Sequence, residues 1–372
     1  MNAVPEGTGA MIRLRALTAS RDYDILVGRD CLAELGPALW SRAPGGQAVV
    51  CCDEHVAPLY LAGVRESLRA AGYVVSEIVI PAGETQKTLA RAEELYGVVY
   101  DRGVRRSDTL VALGGGVVGD LIGFVAATYQ RGVGFVQVPT TLLAQVDAAI
   151  GGKVGVDFRA GKNYIGAFYQ PTLVFADLHT LTTLPAHELR SGMGEVAKYA
   201  LSDGGELLVR CEQLARAPLA APILSRSLVA DCIQRKLDVV AGDEREESGG
   251  RAVLNLGHTI GHAIEAATGF SRFAHGDAVG LGLRAVLWLS ERLCGLPAGE
   301  SARAQALLDG LGLPARAPGV SPDLICDLVR RDKKAGKDGV TYVLLAALGT
   351  PQVGVSVPAD LEREVVAWLT RP

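Results

Sequence analysis

The chain has 372 residues, 49% of them apolar and 21% charged, with a formal net charge of −4. This length exceeds what one small core needs and suits two domains, and the composition excludes a disordered chain. The acidic balance gives no electrostatic case for nucleic acid, and no apolar run reaches the roughly 18 to 20 residues that span a bilayer, so neither is an expected partner.

Residues 1 to 10 read as a loose tail without the basic-then-apolar order of a secretory signal, and Met11 is an alternative start. Strand signals follow at YDILVG (23–28), AVVCCD (48–53), VVSEIVI (74–80), TLVALGGG (109–116) and GFVQVP (134–139). Each is a short apolar run closed by Gly, Pro or Asp or followed by one. Helical patterns such as CLAELGPALW and ARAEELYGVVYDRG lie between them. Strands alternating with helices predict a parallel sheet covered on both faces.

LGGGVVGD (113–120) follows one strand and opens a helix, and Gly114, Gly116 and Gly119 match the spacing GxGxxG. Such a turn lets backbone amides approach a pyrophosphate at a helix N-terminus. The match departs from the usual dinucleotide fingerprint, because the candidate ribose carboxylate, Asp53, precedes the glycines instead of following them. A plain strand-to-helix turn stays open on this signal alone.

The stretch from 138 to 168 is punctuated by Thr140, Thr141, Asp147, Lys153, Lys162 and Asn163, with glycine pairs between. Two lysines and an asparagine within eleven residues suit a phosphate or carboxylate ligand. Solvated loop charges are the plainer alternative.

From about residue 178 the pattern turns to long helical stretches, which puts a domain boundary near residue 177 and an active site between the halves. GMGEVAKYA sets Glu195 and Lys198 three apart on one helical face. Residues 251 to 275 hold His258, His262 and His275, half of the chain's six histidines. Imidazoles gathered with a carboxylate suit a divalent metal and leave a position open for substrate. Spacing alone pairs His258 with His262, one helical turn apart. Arg251 and Asn255, on the same approach, add donors for an anion. A metal-assisted enzyme outweighs a group of merely structural histidines.

Lysine is scarce: eight lysines stand against 29 arginines. Those that remain are enriched for sites needing a compact ammonium. Lys87, Lys153, Lys162, Lys198, Lys236, Lys333 and Lys334 fall in or beside the motifs above or in RRDKKAGKDG (330–339), otherwise a solvated basic turn. The seven cysteines are odd in number and lack CxxC spacing, so they read as buried thiols of a reducing compartment, the cytoplasm.

Together PAGETQKTLA, GGGVVGDLIGFVAATYQRG, VPTTLLAQVD, IGGK, GKNYIGAFYQP, TLPAHELRSGMGEVAKY, RAVLNLGHTIGHAIE, HGDAV and RDKK closely resemble the 3-dehydroquinate synthase family of sugar phosphate cyclases, over nearly the whole chain. The resemblance implies an NAD-binding α/β domain over residues 1–177 and a mainly α-helical metal- and substrate-binding domain over 178–372. It implies zinc, or cobalt in its place, on Glu195, His258 and His275, and moves His262 to the substrate. NAD contacts would come from Asp53, Glu84, Lys87, Gly115, Gly116, Asp120, Thr140, Thr141, Thr183 and Glu188, with Lys153 and Lys162 shared between cofactor and substrate.

The implied substrate is a phosphorylated seven-carbon keto acid, 3-deoxy-arabino-heptulosonate 7-phosphate. Asp147, Lys153, Lys162, Asn163, Lys198, Lys236, Arg251, Asn255, His262 and Lys333 or Lys334 would surround it, and Arg131 would reach a phosphate across a homodimer interface. The family chemistry is transient oxidation by NAD, phosphate elimination, reduction and an intramolecular aldol closure. Three local features depart from the family pattern: Asp157, Phe158 and Arg159 after IGGK, His55, and one extra residue before Arg251. They make an aminodehydroquinate synthase of antibiotic biosynthesis the near alternative. A metal- and NAD-dependent polyol dehydrogenase is the more distant one, and the retained cation set argues against it.

Overall fold

The computed structural model describes residues 10–159, 161–220, 224–332 and 340–372. In chain order the elements are β1 (Ile12–Ala16), β2 (Tyr23–Gly28), α1 (Leu35–Trp40), β3 (Gln47–Asp53), α2 (Ala62–Ala70), β4 (Val74–Ile80), α3 (Leu89–Asp101), β5 (Thr109–Gly114), α4 (Gly116–Thr128), β6 (Gly134–Pro139), β7 (Lys153–Phe158), β8 (Gly161–Phe168) and β9 (Leu173–Asp177). There follow α5 (Ala186–Asp203), α6 (Gly205–Leu214), α7 (Arg226–Gly242), α8 (His258–Ala267), α9 (His275–Leu293), α10 (Ala298–Gly310), α11 (Pro322–Asp332), β10 (Thr341–Ala347), β11 (Thr350–Ser356) and α12 (Ala359–Thr370).

The chain packs into two compact units, residues 1–184 with 225–245 and residues 185–224 with 246–372. The first unit is built on a sheet of order β1-β2-β9-β6-β5-β3-β4, parallel except for the antiparallel edge strand β1. Alternate residues of one strand feed opposite cores. Val49 and Cys51 join a cluster with α3 and α4, whereas Ala48, Val50 and Cys52 join one with α1 and α2. The sheet is therefore covered on both faces, as the apolar runs require.

Asp177 closes β9 and accepts hydrogen bonds from the backbone N–H groups of Asp30, Cys31, Leu32 and His179, at 2.7 to 3.0 Å. That carboxylate fixes two turns leaving the sheet. The hairpin of β7 and β8 packs its Val154 and Val156 into the α3–α4 core. Helix α7 lies against β1, β2 and the turn Ala144–Ala148.

The second unit is mainly helical, with α9 at its centre and a β10–β11 hairpin. Two pairs of helices approach at backbone contact. A Cβ on Gly194 of α5 would stand 2.2 Å from the carbonyl oxygen of Gly276 on α9, and one on Gly282 of α9 would stand 1.7 Å from that of Gly257, just before α8. No side chain fits at either crossing.

Two features differ from the sequence expectation. Packing departs from a single division near residue 177, because residues 225–245 join the first unit. In addition β1, β9 and the two hairpins are strands that the sequence signals do not mark; β1 and β9 have only five residues each, and β8 and β11 are largely exposed. Among the described residues no helix is long and apolar enough to cross a membrane.

Candidate functional site

The expected site residues gather in two groups, one in each unit. In the first unit they collect where the parallel strands end. Asp53 ends β3, and its Oδ1 accepts from the backbone N–H of His55 at 2.9 Å and of Val56 at 3.0 Å. Gly115 separates β5 from α4 in an extended conformation. A Cβ there would sit 3.0 Å from Thr141 Cγ2, and one on Gly116 would sit 3.5 Å from Ala148 Cβ. Bare backbone thus faces the first turn of a 13-residue helix, whose N–H groups are unspent within the helix. A pyrophosphate fits such a cradle.

Beside it Lys87 is 4% exposed and its Nζ lies 2.5 Å from Asp120 Oδ2. Burial works to lower the pKa of this ammonium, but Asp120 and then Glu84 outweigh it and raise it above its ordinary value. Lys162 Nζ stands 3.6 Å from Glu84 Oε1. Thr140 is buried, Thr141 Oγ1 accepts from the N–H of Ala144 at 3.2 Å, and Thr183 Oγ1 lies 2.6 Å from the Tyr60 hydroxyl. Lys236 on α7 donates to the Asp147 carbonyl at 2.7 Å and pairs with its carboxylate. Lys153 opens β7 and is exposed. Asn163 holds a left-handed φ of 53°, its N–H donating to Asp157 Oδ1 at 2.8 Å.

Arg131 is not brought to this group. It lies in the turn before β6, whereas Thr140 follows the end of that six-residue strand, roughly 20 Å away at about 3.3 Å per residue.

In the second unit the glycine crossings set the geometry. Gly194 and Gly276 adjoin Glu195 and His275, so helices in backbone contact force those two side chains together. Glu195 is 0% exposed, and its Oε1 lies 3.2 Å from both His258 Nε2 and His275 Nε2. Its Oε2 pairs with Lys198 Nζ. Burial alone would raise the Glu195 carboxyl, but Lys198 and then His258 and His275 hold it well below the ordinary carboxylate range. For His275 burial works downward, yet hydrogen bonds to Glu195 and Glu265 and their charges raise its pKa to about 10.

Donor atoms of Glu195, His258 and His275 lie within 4.8 Å of one another. The far nitrogens are already taken: His258 Nδ1 lies 3.1 Å from the Leu256 carbonyl, and His275 Nδ1 lies 3.3 Å from Glu265 Oε2. Both Nε2 atoms thus face one point, and with the Glu195 carboxylate they make a donor set that fits a divalent metal once the His275 Nε2 proton is displaced. This corrects the pairing of His258 with His262 by spacing. Those rings are 5.1 Å apart between centroids, but His262 is exposed and does not meet Glu195. A second trio, His262, Glu265 and His275, also brings its donor atoms within 4.8 Å, though its carboxylate already faces His275 Nδ1.

Arg251 is 2% exposed, its Nε lying 3.5 Å from Glu246 Oε1. Asn255 is exposed at the end of the turn Gly250–Asn255 that leads into His258. Glu188 is half-buried in the first turn of α5 beside His187. Lys333 and Lys334 lie outside the described residues. Sequence reasoning missed Glu265. Its signal was an acidic residue seven positions after His258, on the same face two turns on.

Residues 77–191 match the family model described as 3-dehydroquinate synthase N-terminal, and residues 192–335 match the one described as 3-dehydroquinate synthase C-terminal. A 3-dehydroquinate synthase of Rhizobium leguminosarum bv. trifolii is 41% identical over 376 aligned positions, covering 99% of this chain and 99% of that protein. Among solved structures, 2-deoxy-scyllo-inosose synthase in complex with carbaglucose-6-phosphate, NAD+ and Co2+ superposes with a TM-score of 0.84 at 26% identity, covering 95% of this chain and 99% of that one. The 2-epi-5-epi-valiolone synthase of Streptomyces hygroscopicus subsp. jinggangensis, with NAD+ and Zn2+ bound, gives 0.82 at 27% identity, covering 96% and 99%. An α/β sheet unit, a helical unit with a buried carboxylate between two imidazoles, and these matches lead to one conclusion: the chain belongs to the 3-dehydroquinate synthase family.

Proposed function

We propose that this chain is a carbon–oxygen lyase that converts 3-deoxy-arabino-heptulosonate 7-phosphate into 3-dehydroquinate and phosphate. The observation that carries the reading is Glu195 Oε1 held 3.2 Å from two imidazole Nε2 atoms, with Lys198 neutralising the other oxygen. NAD, when bound, takes and returns a hydride, and zinc or cobalt, when bound, acidifies and orients a substrate hydroxyl.

The chain's own residues do the rest. The sheet unit holds the cofactor: the Gly115–Gly116 turn takes its pyrophosphate, Asp53 its ribose, and Glu84, Lys87, Asp120, Thr140, Thr141 and Thr183 frame it. The helical unit adds Glu188 and holds the metal through Glu195, His258 and His275. Lys153, Lys162, Asn163, Arg251, Asn255 and Lys333 or Lys334 take the anionic ends of the substrate, so that each step begins aligned. Lys236 fixes Asp147 beside the substrate, and His262 contacts its hydroxyls.

Two copies associate as a homodimer in the cytoplasm, with Arg131 serving the substrate phosphate bound by the second copy. Its place at the far end of β6 supports that role, and seven free cysteines, six of them buried, support the compartment.

The test offers the 3-deoxy-heptulosonate phosphate and its amino analogue separately and follows phosphate release, with and without chelator. Release from the oxygen substrate, stopped by chelator and without net NADH, is expected. Net NADH accumulation without phosphate release overturns the reading in favour of a simple dehydrogenase.

A further inference from the structure

We infer that Glu265 is a positioning residue for the metal centre, acting through His275. The inference rests on the ligand set proposed above and adds a residue to it. Glu265 is 2% exposed, on the last turn of α8, and its Oε2 lies 3.3 Å from His275 Nδ1. The ring's other nitrogen, Nε2, is the one that meets Glu195.

The chain is built to bring these groups together. After α8, Thr268 folds back, its hydroxyl donating to the Ile264 carbonyl at 2.8 Å. Gly269 and Phe270 then take left-handed φ values of 62° and 54°, and the N–H of Phe270 returns to the Glu265 carbonyl at 2.8 Å. This tight reversal carries the chain back so that His275, first residue of α9, faces the helix it has just left.

The two histidines are held unequally. His258 Nδ1 faces a neutral backbone carbonyl, that of Leu256, at 3.1 Å. His275 Nδ1 faces a buried carboxylate. A carboxylate accepting from the far nitrogen fixes the tautomer with its proton on Nδ1, locks the ring plane, and makes Nε2 a stronger donor. Glu265 therefore sets how strongly His275 binds, whereas Leu256 only orients His258.

The experiment uses the full chain, stripped of metal and reloaded. Zn2+ dissociation constants are measured by competition with a chelator for the parent, Glu265→Gln and Glu265→Leu. Visible absorption of the Co2+-loaded forms reports ligand geometry, and melting of the metal-free forms reports folding. Gln keeps an acceptor but loses the charge, so a graded loss is expected. The Gln variant should bind Zn2+ roughly 10- to 100-fold more weakly, the Leu variant more weakly still, each with an altered Co2+ spectrum.

Equal dissociation constants and an unchanged Co2+ spectrum in folded variants overturn the role of Glu265 alone. A parent that takes up no Zn2+ overturns the ligand set and this inference with it. A variant that does not fold leaves the measurement on the parent: nitrogen NMR of the Zn2+-loaded protein should show the His275 proton on Nδ1, and a proton on Nε2 overturns the inference.

Discussion

Lys236 grips Asp147 twice, donating to its backbone carbonyl at 2.7 Å and standing 3.0 Å from its carboxylate Oδ1. The two residues are 89 positions apart, yet both belong to the sheet-bearing unit. The contact ties α7 to the turn carrying Asp147. Lys236→Met keeps the aliphatic stem and removes the charge. It should cost roughly 1.5–3 kcal/mol of stability, the range for a hydrogen bond to a charged group, and lower kcat/KM. Chemical denaturation and steady-state kinetics check both; a variant as stable and active as the parent would contradict the coupling.

His275→Ala and His258→Ala should each lose bound metal and turnover together. His262→Ala should keep stoichiometric metal and lose activity. Elemental analysis of the purified variants separates the cases. Metal retained in His275→Ala, or lost in His262→Ala, would reverse the assignment of ligands and force the second trio into consideration.

Gly115→Ala places a methyl 3.0 Å from Thr141 Cγ2, at a backbone conformation that alanine tolerates. NAD should bind on the order of tenfold more weakly, about 1.4 kcal/mol, because the methyl crowds the cradle. Removing the opposing methyl with Thr141→Ser should recover most of that loss. Nicotinamide fluorescence titration measures it. No recovery in the double variant would mean that the methyl obstructs the cofactor itself rather than Thr141.

Glu244 accepts from the backbone N–H of Ser20 at 3.0 Å and from Gln170 Nε2 at 2.9 Å. Burial pushes its pKa up, but the Ser20 and Gln170 hydrogen bonds outweigh it and lower it. A carboxyl depressed by folding stabilises the protein above its unfolded pKa, near 4.5, and that gain fades as pH falls through the folded value. Parent protein should therefore melt above Glu244→Gln at pH 7, and the gap should close as the pH falls through the lowered folded-state value. A gap independent of pH would mean that Gln replaces the contacts poorly for reasons of shape.

Much of the sheet unit was legible because its signals are local. β5 reads TLVALG, every residue buried, and the glycine turn after it announces the start of α4. The carboxylate–imidazole trio was harder. A four-residue spacing shows which histidines share a helix face, but not which face another helix will meet. Only the glycine crossing of α5 and α9 decides that His275, 80 positions from Glu195, is its partner. β9 escaped notice because LVFAD is five residues long and gains its place between β2 and β6 through pairing far along the chain. Glu265 escaped because an acidic residue on an amphipathic helix usually faces solvent.

The return of residues 225–245 to the sheet has a practical consequence for dissection of the protein. A fragment ending at residue 184 would contain every strand of the large sheet and still be incomplete. It would lack the helix that shields β1 and β2, leaving their apolar flank wet and Asp147 without its ammonium. Expressed alone, such a piece should aggregate; excising the intervening stretch and splicing in the missing helix is the way to make it stand by itself.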